Sequence, residues 1–358
     1  MNRKYAPYLA RGMSLIELMI ALLISAVIIF GATTVYNQSR RTYGESESVA
    51  RLQETARYAM SIIEPDVRMS NYFGLVKGAS VLMGQAAQTD AAVGTAAQNI
   101  CGDNFAIDLD NNLQGDNNGY VLSATRKAGC DALTDLNTNT VWTTNSVLSA
   151  DTLTVRRAST VFPVTTANGV LQICSSRVAG RLYSDGSACT ADPMGRISNL
   201  LVNAYYVDQA SQQRATLPSL RRKVLTSLAG AVRFADQEVI AGVEDMQIQF
   251  GIDPNGLTGI ATRYVNPDGV PAGAQVVAVR VWLLVRSDVG EPGFTDSRIY
   301  EYGDRLVANG TTGNLNAAAG IGRAYQPSLS ADTSMTGPQH TRRLLISRTI
   351  QVRNALGT

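Results

Sequence analysis

Hydrophobic and polar residues follow three successive patterns along the chain. From Met13 to Val35 the sequence is apolar apart from small hydroxyl residues, Gly31 and one carboxylate, Glu17. Coiled as a helix at ~1.5 Å per residue, this run reaches about 34 Å, enough to cross a hydrocarbon layer of roughly 30 Å. From Tyr36 to Ile63 Arg, Glu, Ser and Ala dominate, and Val49, Leu52, Ala56, Ala59, Met60 and Ile63 recur at i, i+3, i+4 spacing. That spacing predicts an amphipathic helix with one apolar stripe. No proline interrupts Met13 to Glu64, so both segments read as one helix of about 50 residues, roughly 75 Å long. Pro65 is expected to end or kink it, with Asp66–Ser70 continuing for a turn.

Beyond residue 71 the period changes to that of strands. The candidates are Thr152–Arg156, Val170–Cys174, Leu200–Val207, Leu220–Thr226, Met246–Asp253, Val276–Arg286 and Leu344–Arg353. Residues 246–252 alternate strictly, as a strand with one wet face does. Val276–Arg286 is nearly all apolar, which suits a central strand covered by the long helix. Residues 76–120 and 303–341 read as long loops, of the length that is usually functional or mobile. The fold class is therefore α+β: a long N-terminal helix packed on an antiparallel β-sheet domain with loop insertions. The segments are 1–12, 13–35, 36–70 and one strand-rich domain, 71–358.

Composition narrows the function. Charged residues make up 17% of the chain and the net charge is +2, so no nucleic-acid partner is expected. A single histidine, His340, rules out a multi-histidine metal site and has no nucleophilic-triad signature around it. Asp110, Asn112, Gln114 and Gly115 resemble the opening of a calcium loop, but the twelfth position is Val121, where a bidentate Glu is needed. An irregular polar turn is the preferred reading, and no metal or other cofactor is expected. The clusters Arg221-Arg222-Lys223 and Arg342-Arg343 read as surface charge. Four cysteines, Cys101, Cys130, Cys174 and Cys189, contain no CxxC pair. Two disulfides are expected, with the sequence-local pairing Cys101–Cys130 and Cys174–Cys189 favoured over the other two pairings and over free thiols.

The N-terminal segment carries the most specific signal. Residues 1–12 are short and basic, with Arg3, Lys4 and Arg11, and end in Gly12. By the positive-inside tendency this leader stays cytoplasmic and the bulk of the chain lies outside, although Arg40 and Arg41 oppose that orientation. An ordinary secretory signal has its small-residue cleavage site after the apolar core; here the small residue precedes it. Glu17 is costly inside a membrane, by about 2.5–3.5 kcal/mol. Either it reaches toward the headgroups or it pairs with a positive charge, for which a free amine on Met13 of a neighbouring subunit is the obvious candidate.

The run Gly12-Met13-Ser14-Leu15-Ile16-Glu17-Leu18-Met19-Ile20-Ala21 resembles the class III signal of type IV prepilins and type II secretion pseudopilins. The resemblance implies cleavage by a prepilin peptidase after Gly12, N-methylation of Met13 and an assembly role for Glu17. Met13 stands where that family has Phe. Residues 11–75, and more loosely 199–290 with Val239–Asp253 among them, resemble PilW-type minor pilins. The resemblance implies a non-catalytic protein that primes pilus assembly with other minor pilins, sits at the pilus tip and supports twitching motility or adhesion. Implied partners are other minor pilins, the major pilin, the prepilin peptidase, the inner-membrane assembly machinery and a tip adhesin. Implied localisation is the inner membrane, single-pass with a periplasmic C-terminal domain, and then the filament. A type II secretion tip pseudopilin would share every N-terminal feature. A single-pass anchored receptor or binding protein would keep its leader, and an anchored enzyme lacks a recognisable catalytic constellation in the sequence.

Overall fold

The computed structural model describes residues 12–101, 104–119, 132–134, 141–143, 149–161, 165–187, 189, 195–309, 312–313, 322–329 and 337–355. Its first element, α1, is a continuous helix over Leu15–Arg68. It therefore runs through Pro65 rather than stopping at Glu64. Pro65 stands on the exposed side of the last turn, where its missing N–H breaks a single ladder bond, and Met69 N–H still reaches its carbonyl at 3.1 Å. The chain divides into two compact units inside this helix, Met1–Ala50 and Arg51–Thr358.

The second unit holds the strands. They are β1 (Leu82–Met83), β2 (Leu113–Asp116), β3 (Ala132–Thr134), β4 (Val141–Thr143), β5 (Thr152–Ala158), β6 (Asn168–Ser175) and β7 (Gly180–Asp185). There follow β8 (Arg196–Asp208), β9 (Ser219–Leu228), β10 (Ala231–Ala241), β11 (Val243–Asp253), β12 (Arg263–Val265), β13 (Gln275–Gly290) and β14 (Thr341–Gln351). All seven strands expected from the sequence are present, most of them longer than anticipated. They do not form one sheet. β12-β11-β13-β14 is a four-stranded antiparallel sheet, and β1-β7-β6-β8-β5-β2 form the path of an eight-stranded one to which β9 and β10 add. β3 and β4 pair only with each other. The long strand β8 pairs β6 and then β9 along one edge and β5 along the other. The β1–β7 pair is parallel.

Two apolar cores follow from period-2 alternation. In the first, Leu52, Ala56, Ala59, Met60, Ile63 and Val67 of α1 share one cluster with Val279, Val281 and Leu283 of β13 and with Tyr205 and Val207 of β8. This is the apolar stripe that the sequence predicts, except that Val49 remains 41% exposed. The second core takes the other parity of the eight-stranded sheet, Val202 and Ala204 among it, and packs it against Phe73, Val93, Phe105, Ile107 and Leu109. Residues 76–119 are thus a packed cover of short helical turns and β2 over a sheet face, and the loop reading of this stretch is corrected. Its Ala- and Gly-rich sequence hid the core because small residues bury without marking a period. The stretch read as a candidate calcium loop lies within this cover. Leu113–Asp116 pairs with β5, and Asp110 accepts from Gln85 at 3.2 Å; Val121 lies outside the described residues. Among the described residues no group of three His, Cys, Asp or Glu could hold a metal ion.

The basic clusters need the larger correction. Arg221, Lys223 and Arg343 are buried. The Arg221 guanidinium lies on Asp236, which also takes the Tyr206 hydroxyl. Arg343 is held by Glu244 at 2.6 and 3.0 Å. Arg305 joins Asp245 at 2.5 Å, with Tyr302 donating to the same carboxylate. Burial alone would lower the Arg343 and Arg305 pKa values, but Glu244 and Asp245 outweigh it and raise them. Burial pushes Arg156, which donates to the Phe105 carbonyl, down to about 10. Alternation places Arg221 and Arg343 on inner faces, where each needs a partner, and strands carry their partners Asp236 and Glu244; Arg156 is met by the carbonyls of Phe105 and Asn111.

Asp66 on α1 is the centre of the cluster that joins helix to sheet. It accepts from Arg157 at 2.7 and 3.0 Å, Asn203 at 2.6 Å and Tyr205 at 2.6 Å, all on β5 and β8. Asp66→Ala leaves the Arg157 guanidinium facing no carboxylate and should destabilise the chain by about 3–5 kcal/mol. Denaturant unfolding followed by circular dichroism measures this; a loss below 1 kcal/mol, roughly that of an exposed ion pair, would remove Asp66 from its central role. A pH effect accompanies it. Burial, and then the carboxylate beside each hydroxyl, holds Tyr205, Tyr302 and Tyr325 well above the ordinary value of 10.0. The protonated form is the folded one, so their contribution is complete below pH 10 and lost as pH rises beyond it. Ultraviolet titration should show these three ionising only together with alkaline unfolding.

Candidate functional site

The site with the clearest chemistry is the start of α1. Ser14 occupies its cap: its carbonyl accepts the first helical bond, from Leu18 N–H at 3.2 Å, and its own N–H donates to Glu17 Oε2 at 3.1 Å. That is one arm of a capping box, in which the third helical residue turns back to satisfy an orphan N–H. The signal was legible as Ser14-Leu15-Ile16-Glu17, yet sequence reasoning gave Glu17 a reach toward the headgroups or an ion pair in assembly and missed the cap. The helix dipole also favours a carboxylate at this end, by about 0.3–1 kcal/mol where it is exposed.

From Leu15 to Val35 the large apolar side chains remain between 51% and 78% exposed. Removing each from water is worth about 1.5–3 kcal/mol, so this surface calls for lipid or other helices. The polar groups of the run are already satisfied along it. Ser25 Oγ donates to Ala21 O at 2.7 Å, Thr33 to Phe30 O at 2.9 Å and Thr34 to Gly31 O at 2.7 Å. Hydroxyls paired in this way enter an apolar phase without a further partner. Glu17 is the one ionisable residue between Met13 and Val35. Among the described residues one helix is long and apolar enough to cross a membrane, and it is this one, which is compatible with single-pass anchoring. Gly31 does not interrupt it. At its far end Tyr36 and Tyr43 are exposed, side chains of the kind that settle at a membrane–water boundary.

The structure brings Glu17 to Ser14 and leaves Gly12 and Met13 just outside the helix. The rest of the expected leader, 1–11, lies outside the described residues. A disulfide joins Cys174 on β6 to Cys189, with Cα atoms 5.6 Å apart. Cys101 is disulfide-bonded as well, while Cys130 falls outside the described residues. His340 is tied through Nδ1 to the Phe294 carbonyl at 2.8 Å, a structural contact that secures the approach to β14.

Comparison with known proteins bears on the strand-rich part of the chain. Residues 204–354, from within β8 through β14, match the family model of type IV pilus-assembly protein W. No curated protein matches the sequence. Among solved structures, a type IV-like pilin from Thermus thermophilus aligns at 14% identity over 57% of this chain and 80% of that one. Its TM-score is 0.26, too low to bear on the fold. The match takes in all of the four-stranded sheet, and this part of the chain is similar to the PilW family of type IV pilus assembly, which supports a PilW-type pilin.

Proposed function

We propose that this chain is a minor type IV pilin that assembles with other minor pilins to prime pilus growth and then sits at the pilus tip, in support of twitching motility or adhesion. The observation that carries this reading is the pairing of a PilW-like region with a long helix whose apolar part, up to Val35, has Glu17 as its one ionisable residue. The role is structural. A prepilin peptidase removes residues 1–12 after Gly12 and methylates the Met13 amine. The mature protein is held in the inner membrane by 13–35, with the strand-rich domain in the periplasm. Assembly then exchanges lipid for neighbouring helices, and Glu17 neutralises the Met13 amine of an adjacent subunit, which sets axial register. The outer domain selects among the other minor pilins, the major pilin, the inner-membrane assembly machinery and a tip adhesin. A type II secretion tip pseudopilin uses the same helix chemistry. A secretion defect without a piliation defect in a deletion strain would favour it.

Two measurements test the proposal. Intact mass of the purified mature chain should show residues 1–12 absent and Met13 methylated; a retained leader would sink the pilin reading in favour of an anchored binding protein. Glu17→Ala should insert and be cleaved normally, yet its amount in sheared filaments should fall by more than tenfold. That loss follows because an unpaired buried amine costs about 3 kcal/mol or more, and 1.4 kcal/mol is already tenfold. Unchanged incorporation would refute the register role.

A further inference from the structure

Within the Arg51–Thr358 unit, β2 ends the path of the eight-stranded sheet and pairs with β5 alone. The register sets Leu113 opposite Val155, Gln114 opposite Thr154 and Gly115 opposite Leu153. One residue earlier, Arg156 N–H donates to the Asn112 carbonyl at 2.8 Å. In an antiparallel pair, hydrogen-bonded positions alternate with non-bonded ones. Counting from Asn112, the main-chain groups of Gln114 and Asp116 turn toward β5, and the N–H and C=O of Leu113 and Gly115 turn away from it. Those outward groups have no partner among the described residues.

Sheet edges are ordinarily blunted by shortness or by charge. β1 and β12 have two and three residues. β10 carries Arg233 and Glu238, and β14 carries Arg342 and Arg348. From Leu113 to Gly115 β2 has no charge and no proline, and it borders a groove of about 560 Å³. Residues 270–276 form another part of the groove wall. The Leu113 side chain is spent in the first core. Gly115 brings none to cover the edge, and a Cβ there would lie 2.7 Å from both Thr152 O and Ile248 Cδ1. What β2 offers the groove is therefore main chain. Asp110 is the one charged residue among the described residues of the lining, so an acidic ligand meets no cation there. Main-chain donors and acceptors repeated at every second residue are matched by another extended chain.

We propose that the open edge of β2 is a strand-addition site, at which an uncharged extended segment of another polypeptide pairs with the main chain of Leu113 and Gly115. The site does not depend on Glu17 or on leader cleavage, so it stands apart from the assembly reading.

The test incubates the full-length chain in detergent with acetyl-Thr-Val-Thr-Val-Thr-amide and follows amide hydrogen exchange residue by residue. At saturation the N–H groups of Leu113 and Gly115 should exchange slower by about tenfold or more, whereas Gln114 and Asp116, already bonded to β5, should change little. The same peptide with its amide nitrogens methylated cannot donate to a strand and should not protect them. A version with Glu in place of Thr should bind more weakly. Ala272 is exposed on the groove wall, so Ala272→Trp should obstruct the groove and remove the protection, and circular dichroism reports whether that variant folds. Absence of protection with the neutral peptide, even protection across Leu113–Asp116, or equal binding of the methylated or Glu-bearing peptide would overturn the proposal. So would wild-type protection in a folded Ala272→Trp.

Discussion

The second unit depends on one carboxylate, Asp66, near the end of a helix whose other end is made for a different environment. The apolar stripe of α1 attaches it to the four-stranded sheet without strong directional preference, because hydrophobic contact is non-directional. Asp66 adds direction by accepting from Arg157, Asn203 and Tyr205 of the eight-stranded sheet. It fixes how far α1 is rotated and shifted over that sheet. Asp151 makes a comparable tie between the sheets. Its two oxygens accept from Asn118 N–H at 2.8 Å and Ile248 N–H at 2.7 Å. Burial, opposed by those two bonds and reinforced by Asp304 and Asp245, raises its pKa well above the usual carboxylate range.

These clusters follow a common rule. Arg221 and Arg343 sit on inner-facing strand positions and Arg305 between elements, each with a carboxylate from another element that also accepts from a tyrosine hydroxyl. A salt bridge of this type is weak evidence for net stability, since similar apolar packing often does as well. What it does provide is intolerance of error. A strand that slips by one residue turns its charged partner to the wrong face and strands a cation in the core. In a protein with two large sheets and long covering segments, such penalties select one register for β8, β9, β11 and β14 together. Arg156 is an exception, a fully buried cation that donates to the carbonyls of Phe105 and Asn111 and to Gln114 Oε1.

The fold was legible where period and composition agree. The α1 stripe from Leu52 to Val67 and the long strands β8, β11, β13 and β14 declare themselves by spacing. β10 did not, because its turn is Ala229-Gly230, with positive φ at both residues. Ala is a poor marker for a geometry that usually shows Asn or Asp before Gly. The second core escaped because Ala97, Ala106 and Ala158 bury as readily as large residues yet give no periodic signal. Arg221, Lys223 and Arg343 misled because a charge within a strand reads as solvent-facing, and its partner is far off in sequence. Asp66 follows Pro65, at the predicted helix end, and nothing local reveals Arg157 or Asn203 as its partners. The N-terminal site was the most legible part, since all of its chemistry is contiguous.

That contiguity also bears on why a carboxylate is tolerable at position 17 and not further along. At the third position of the helix its charge faces orphan N–H groups and the positive end of the dipole. It already holds Ser14 N–H at 3.1 Å. One turn later the same group would meet only filled carbonyls and apolar side chains. In the proposed mature chain the new amine stands one residue before Ser14, so carboxylate, cap and amine crowd into a single turn. Ser14 N–H takes only Oε2, so Oε1 can accept from the amine of a neighbour while the cap is kept. In the proposed assembly each subunit thus remains capped in the bilayer, and the ion pair adds to the cap without replacing it. Most of the association must come from the exposed apolar surface between Leu15 and Val35, with Glu17 choosing the register in which that surface meets its neighbour.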